Sequence, residues 1–500
     1  MEKYSLIGRN VLKAEKPPNF EWSEIGKIIK QIMPLHEENA EKIDYLHKFY
    51  RSNQPIKKRK KEVRSDITYN IVVNYAYRVV DFYVGYTLSN NIQFLPKNIE
   101  KSELIESFNS FYDLDDGHNK NIKIGEWCFI SGNGYKRILP NRNADIDSAP
   151  YKMQVLDPKN TFIVYSEEDE TKICAGTIAT KKIVKEDKEE KNFLIGVYTD
   201  KKYFEWELST EDIDKIDSTP PKFEGINGVG IIPIVEYMNN HNRIGLVEVA
   251  LDLFNAINLL GSNASEGIEQ IVQAYLILIN AQLPLIDPND PNSGKQLPKT
   301  RDIISIGGPK GNSDAKFITS VLDQSHVKIL WDIYLDALGE ITGVPLISSR
   351  GQAVSGGTTG HAEQTRGGWG HADTKAIKFL KLFRSSTMES CRIILNIARG
   401  LQDVDIAGLT LREIEIKPTR SKFANMQSIA QSFSTIHNTG VFAPEDSAKM
   451  VDLSDDISGA IERGKEWNLK QNELYKEMQY KLEKLKKLEE IKEQDEVNND

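Results

Sequence analysis

Side chains that do chemistry come as nucleophiles, acid–base pairs, metal cages or phosphate cradles, and here the atoms are present without the spacings. The three cysteines, Cys128, Cys174 and Cys391, lie far apart and form no CxxC pair. They read as buried thiols of a reducing compartment, not as a zinc knuckle or redox motif. The eight histidines are scattered. His361 and His371 share a region, but their separation does not bring them together on adjacent helical turns, so no metal site is read there. No GxxxxGKS/T, GxSxG, HExxH or EF-hand pattern occurs. Gly307-Gly308-Pro309-Lys310-Gly311 resembles a phosphate loop only superficially, because no Ser or Thr follows the lysine at a helix head; it reads as a turn. Carboxylates are abundant without a pair that stands out. The reading is no catalytic residue, no metal, no cofactor and no enzyme.

Two segments carry binding chemistry. Lys57-Lys58-Arg59-Lys60-Lys61 is a basic run, either a solvated loop or a contact with nucleic acid. Ser348 to Gly360 is glycine-rich and holds one arginine, Arg350. The formal net charge is -9, so the chain as a whole lacks the basic balance of a tight duplex binder. With 39% apolar and 27% charged residues it reads as soluble and globular. At 500 residues it implies several packed units. The N-terminus lacks the basic start and apolar run of a signal peptide, and Ala274 to Ile279 is too short to span a membrane. The expected place of work is the cytosol, or a particle assembled there.

The positioning elements follow from periodicity. Ile25, Ile28, Ile29 and Ile32 mark one face of a helix over Trp22 to Met33. Asn70 to Leu88 reads as a helix closed by Gly85, and Glu103 to Phe111 as another. From Gly132 to Met238 the period falls to two. Strands are expected at Thr161–Tyr165 and Phe193–Tyr198, with a hairpin into Tyr203–Leu208 and a last strand at Ile231–Met238. This is an α+β unit with a mainly antiparallel sheet. A long helix follows, with Leu246, Val249, Leu253, Ile257 and Leu260 on one side. Gly261 and Gly267 weaken it by roughly 1 kcal/mol each. After a Pro/Gly/Asn-rich insert, Val327, Leu330, Trp331, Tyr334, Leu338 and Ile341 mark a second helix that can pack antiparallel to the first, a stalk with a tip. A third helix, His361 to Arg399, would reach roughly 58 Å if helical throughout. Leu411 to Ile416 returns to strand character. The Lys/Glu-rich tail carries Leu474, Met478, Leu482 and Leu485 as an amphipathic end helix.

Five motifs in order carry a resemblance. They are Asn70-Ile71-Val72-Val73-Asn74 with Val84-Gly85-Tyr86; Gly230 to Asn240; Glu269 to Leu276; Ile341-Thr342-Gly343-Val344-Pro345; and Asn425 to Ala430 with Thr439-Gly440-Val441. Together they make the chain similar, over roughly residues 60 to 465, to the portal proteins of tailed bacteriophages, the SPP1-type portal family. Gly261, Gly267 and Gly367-Gly368-Trp369-Gly370 depart from that pattern by interrupting expected helices.

The resemblance implies a portal-protein fold: an α+β wing, a two-helix stem, a small α/β clip, a flexible tunnel loop, a long spine helix and an α-helical C-terminal crown. The boundaries would be an N-terminal adapter segment (1–65), wing (66–243), stem helix 1 (244–275), clip (276–321), stem helix 2 (322–342), tunnel loop (343–360), spine helix and strand (361–420) and crown and tail (421–500). Ser348, Ser349, Arg350, Gln352 and Ser355 would face DNA. Gly343, Pro345, Gly351, Gly356, Gly357 and Gly360 would serve as hinges. Leu253, Ile257, Leu260, Trp331, Tyr334 and Leu338 would pack the stem. The family forms a ring of about twelve subunits at one capsid vertex. There it passes double-stranded DNA during packaging and ejection, and meets terminase, major capsid and scaffolding proteins and a head-completion or adaptor protein. It works in the virion, is assembled in the host cytoplasm, and has no membrane partner. Another head–tail connector or capsid-assembly protein is the alternative; a packaging nuclease or ATPase is a weaker one, lacking nucleotide motifs.

Overall fold

The period-two region builds a six-stranded sheet in the order β1-β5-β6-β7-β8-β9. The computed structural model describes residues 8–61, 67–145, 147–185, 188–209, 212–272, 275–279, 314–318, 324–345, 369–401, 404–418, 426–451 and 457–497. The strands are β1 (Leu12–Ala14), β5 (Thr161–Ser166), β6 (Lys172–Lys185), β7 (Lys188–Tyr198), β8 (Lys202–Ser209) and β9 (Phe223–Ile226). β1 runs parallel to β5 and the other pairs are antiparallel. Along β8, Phe204, Trp206 and Leu208 are buried while the residues between them are half-buried, the signature of a sheet with one face on a core.

That core is closed by helix α1 (Trp22–Tyr50), whose Ile25, Ile28, Ile29 and Ile32 pack among Phe162, Val164, Ile195, Val197, Phe204 and Trp206. Leu12 to Met33, part of the expected adapter segment, thus share a core with the six-stranded sheet. The helix runs beyond the expected Met33 through Pro34, which costs about 3 kcal/mol in an isolated helix. The chain continues as helix because its second half buries too, placing Leu46 and Phe49 in the main core.

The main core joins a three-stranded sheet, β10 (Ile234–Met238), β3 (Asn133–Pro140) and β4 (Tyr151–Leu156), to helices α2 (Tyr75–Leu88), α3 (Ser102–Leu114) and α4 (Gly117–Ser131). A two-stranded sheet, β2 (Gln93–Pro96) with β13 (Ile414–Lys417), adds Phe94, Ile414 and Ile416. The helix expected as the spine, α8 (Trp369–Gly400), buries Phe379, Phe383, Cys391 and Ile394 in the same core. The segment expected as the first stem helix divides into α5 (Leu246–Val249) and α6 (Leu251–Val272), with Ala250 breaking the expected single helix. The other stem helix is α7 (Gln324–Thr342). Three helices end the chain: α9 (Met426–Asn438), α10 (Pro444–Val451) and α11 (Ile457–Val497). The mixture is the expected α+β class.

Two local expectations change. Residues 70–74 are not helical, and α2 starts only at Tyr75, capped by the Asn74 side chain accepting from the Tyr77 N–H. Gly85 does not close the helix; it lies inside α2, which runs on to Leu88. All three cysteines are buried and free. No helix among the described residues is long and apolar enough to cross a membrane.

The main core also encloses a cation. Lys136 is fully buried, donates to Asn121 Oδ1 at 2.8 Å and sits 5.0 Å from the centre of the Tyr237 ring. Burial lowers its pKa to about 7. An unfolded lysine holds its proton to about pH 10.4, so the folded state binds fewer protons between those two values. Stability contributed by this group therefore rises with pH across that window. Lys136→Met should be more stable than the parent at pH 7, and its advantage should shrink by pH 9, as read from urea midpoints. An advantage that stays constant with pH would contradict this account.

Candidate functional site

The two long helices α6 and α7 lie against each other, and the chain between them is tied by β11 (Tyr275–Ile279) paired antiparallel with β12 (Asp314–Ile318). The two helices expected to pack therefore do so in the described residues. Of the six residues expected to pack it, Ile257 and Leu338 are fully buried, and Leu253, Trp331 and Tyr334 are partly buried against the main core. Leu260 is half-buried. Gly261, expected only to weaken the helix, faces the Trp331 indole; a Cβ there would lie 3.5 Å from it.

The apolar stripes do not point wholly inward. Leu330 and Ile341, expected on the packed face of α7, are exposed, while Leu335 is buried in their place. Leu259 and Ile268 on α6, and Ile329 and Ile333 on α7, also stand in solvent.

Past Ile257, the buried side of α6 is polar: Asn258, Ser262 and Glu266, four residues apart, are each almost inaccessible. The extended segment before α2 runs along them. Its Val73 N–H donates to Asn258 Oδ1 at 2.8 Å, Ile71 N–H to Ser262 Oγ at 3.0 Å and Tyr69 N–H to Glu266 Oε1 at 3.0 Å. Every second backbone N–H of an extended chain thus meets every fourth side chain of a helix. The repeats nearly match, about 6.6 Å against about 6 Å. A search for apolar periodicity passes over this ladder; polar residues at i, i+4 and i+8 were the available signal.

Glu266 has further partners. Lys61 forms an ion pair with its Oε2, and Arg59 Nη1 lies 3.5 Å from its Oε1. Burial by itself raises this carboxyl's pKa, but the Lys61 contact, the Tyr69 N–H and the Arg59 charge hold it below the ordinary value. Two members of the basic run are therefore committed to a carboxylate.

At the far end of α7 lies the base of the expected hinge. Gly343 adopts φ +75° and its N–H caps Gly339 O at 2.7 Å. Tyr83 Oη donates to Thr342 O at 2.8 Å, and Lys375 Nζ donates to Ile341 O. The last carbonyls of the helix are satisfied from α2 and α8, so Gly343 is a fixed C-cap in this conformation. Pro345 is half-buried. Ser348, Ser349, Arg350, Gln352 and Ser355, with Gly351, Gly356, Gly357 and Gly360, lie outside the described residues.

Among the described residues no group of three or more His, Cys, Asp or Glu side chains could hold a metal ion. A small cavity of about 20 Å³, room for one water, is lined by Asn133, Tyr165, Glu236 and Arg243 among others. Arg243 grips Glu236 there in a bidentate pair at 2.7 and 2.8 Å.

With this geometry in view, a family model described as "Phage portal protein, SPP1 Gp6-like" matches residues 29–498. No curated protein matches the chain. Three solved structures resemble it at 12% identity each: "Neck of empty GTA particle computed with C6 symmetry" (TM-score 0.40, covering 77% of this chain and 91% of that one), "Virion of native gene transfer agent (GTA) particle" (0.39, 76% and 89%) and "Neck of native GTA particle computed with C12 symmetry" (0.37, 76% and 89%).

Two substitutions test the geometry. Ser262→Ala leaves the Ile71 N–H without its acceptor. It should cost about 1 kcal/mol in the urea midpoint and speed hydrogen exchange at the Ile71 amide. Gly343→Ala forces an L residue into the left-handed region and puts its Cβ 2.8 Å from Tyr83 Oη. It should destabilise by more than about 1 kcal/mol in the same measurement.

Proposed function

This chain belongs to the SPP1 Gp6-like family of phage portal proteins, and from that premise we propose that copies of it close into a ring of about twelve around a DNA channel at one capsid vertex. A phage portal protein is a structural part of the virion. The observation that carries the ring is the apolar surface left over on both stem helices. Leu259 and Ile268 on one, and Ile329, Leu330, Ile333 and Ile341 on the other, remain exposed in the single chain. Exposed apolar side chains repeated along two packed helices suit contacts with neighbouring copies. A head-to-tail contact whose rotation closes gives a ring.

In this reading the wing is 66–243 with 361–420, the stem is 244–275 and 322–342, the clip is 276–321, the tunnel loop 343–360 and the crown and tail 421–500. Terminase would dock on the clip during packaging and a head-completion or adaptor protein afterwards, with major capsid and scaffolding proteins around the ring. The ring is assembled in the host cytoplasm and catalyses no reaction.

A conduit must let its cargo move. Each phosphate neutralised by a fixed cation adds affinity, so a duplex slides where such contacts are few. The net charge of -9 supports this. Ser348, Ser349, Arg350, Gln352 and Ser355 would meet the duplex, with Arg350 touching phosphates in passing. Gly343, Pro345, Gly351, Gly356, Gly357 and Gly360 would serve as its hinges and let the loop shift.

Light scattering on the purified protein should give a particle many times 56.7 kDa. Deleting residues 348–357 should leave that particle intact and abolish DNA packaging. A monomer under assembly conditions would overturn the ring, and normal packaging by the deletion would overturn the role of the loop.

A further inference from the structure

The basic run is split by the fold into two sets of cations with different fates. Arg59 turns inward, donating to Asn263 Oδ1 at 2.8 Å and approaching Glu266, and Lys61 pairs with Glu266. Lys57, Lys58 and Lys60 are exposed. Among the described residues none of the three has an ion-pair partner, in a chain whose net charge is -9.

The scaffold beneath them is rigid. Pro55–Lys58 is a single 3-10 turn anchored by the buried Ile56. Buried Gln54 precedes it and donates to Phe49 O and to Asn74 Oδ1, each at 3.1 Å. Asn70 Nδ2 donates to the carbonyls of Lys57 at 3.4 Å and Arg59 at 3.1 Å. Asn70 belongs to the extended segment laddered onto α6, so the turn is carried by the stem helix. The backbone is held from behind while three ammonium groups point away.

We infer that Lys57, Lys58 and Lys60 form a phosphate-contacting surface for double-stranded DNA, placed on the stem by the Glu266 clamp. This rests on the portal reading, which supplies a duplex as the polyanion at hand. The chemistry favours phosphates over an acidic protein segment. The turn offers no exposed aromatic or aliphatic anchor, because Ile56 is buried and Pro55 half-buried, and protein interfaces draw their energy from such anchors. Lysine is a hydrated point charge without the planar fork of arginine, suited to sequence-independent, easily broken phosphate contacts. A few such contacts give binding that salt weakens steeply, compatible with a moving duplex.

The test uses the full-length protein in whatever assembly it forms, with a fluorescently labelled duplex of random sequence. Anisotropy is followed from low to physiological salt. The triple variant Lys57→Gln, Lys58→Gln, Lys60→Gln alters only exposed side chains. A control triple, Lys470→Gln, Lys476→Gln, Lys481→Gln, removes the same charge from exposed positions on α11. The patch variant should bind about tenfold or more weakly at low salt, and its slope of log K against log salt should be shallower by about 1 or more. The control should behave like the parent. Equal loss in both triples, no loss in the patch variant, or no duplex binding by the parent at low salt would each overturn the inference. So would displacement of the duplex by a polyglutamate peptide at matched charge, which would mark the patch as a site for acidic protein. Light scattering on the same samples reports the ring separately, so failure of the ring and failure of the patch are told apart.

Discussion

A backbone N–H that leaves water needs an acceptor, and helix α6 is organised around meeting that need for one extended stretch of chain. Residues 69, 71 and 73 turn their N–H groups to α6 and find no neighbouring strand there. They find Glu266, Ser262 and Asn258. The match works because two extended residues and four helical ones advance by nearly the same distance. Asn258 is fixed in turn, donating to Gln54 Oε1, and Asn74 Nδ2 donates to Tyr50 O at 2.8 Å. The end of α1, the basic turn, the start of α2 and the stem helix thereby become one polar unit. None of these polar groups can be moved alone without orphaning another.

The other polar anchors repeat this logic at the ends of helices. Glu248 on α5 accepts from the Gly8 N–H at 2.8 Å and pairs with buried Arg9 at 2.6 Å, tying the start of the described chain to the start of the stem. Glu236 on β10 stays ionised in the interior. Burial pushes its pKa upward, but the Arg243 fork and the Tyr165 and Asn133 hydrogen bonds hold it below the ordinary value. Ser386 Oγ donates to Glu236 O at 2.7 Å, and Tyr237 Oη lies 2.8 Å from Ser390 Oγ, which joins the spine to the same strand. At the exit of α7, Tyr83 and Lys375 hold the last carbonyls. Gly343, at the C-terminus of that helix, is thus held between two other helices.

The division of the basic run shows how tertiary structure changes the meaning of composition. Five consecutive cations read as one patch. One buried carboxylate, supplied by a residue some two hundred positions later, takes two of them out of solution. The remaining three, Lys57 and Lys58 on the turn and Lys60 just after it, stay exposed on a backbone that is already committed. The same carboxylate is the last rung of the ladder, so placement of the stem helix and display of the lysines rest on one side chain.

Local pattern carried much of the architecture. The isoleucines of α1, the alternation along β7 and β8 and the two long helices flanking an insert were all legible, because each reflects burial on one face of an element at that element's own period. The five ordered motifs marked the family, and the family match over residues 29–498 agrees with them. Three features were not legible, each because its cause lies far along the chain. Residues 70–74 continue the apolar spacing of α2, yet they are not helical, since the N–H groups of Ile71 and Val73 are taken by side chains nearly two hundred residues away. Leu330 and Ile341 share the stripe of α7 but face solvent, because periodicity defines a face without saying which body covers it. Gly343 is named as a hinge through the resemblance alone, and no local window shows that the carbonyls of Ile341 and Thr342 before it are bound by Lys375 and Tyr83. The chain by itself determined its elements, its class and its kinship. Which polar groups meet, which cations stay free and which apolar faces remain uncovered was decided only by folding, since those depend on partners that no local window contains.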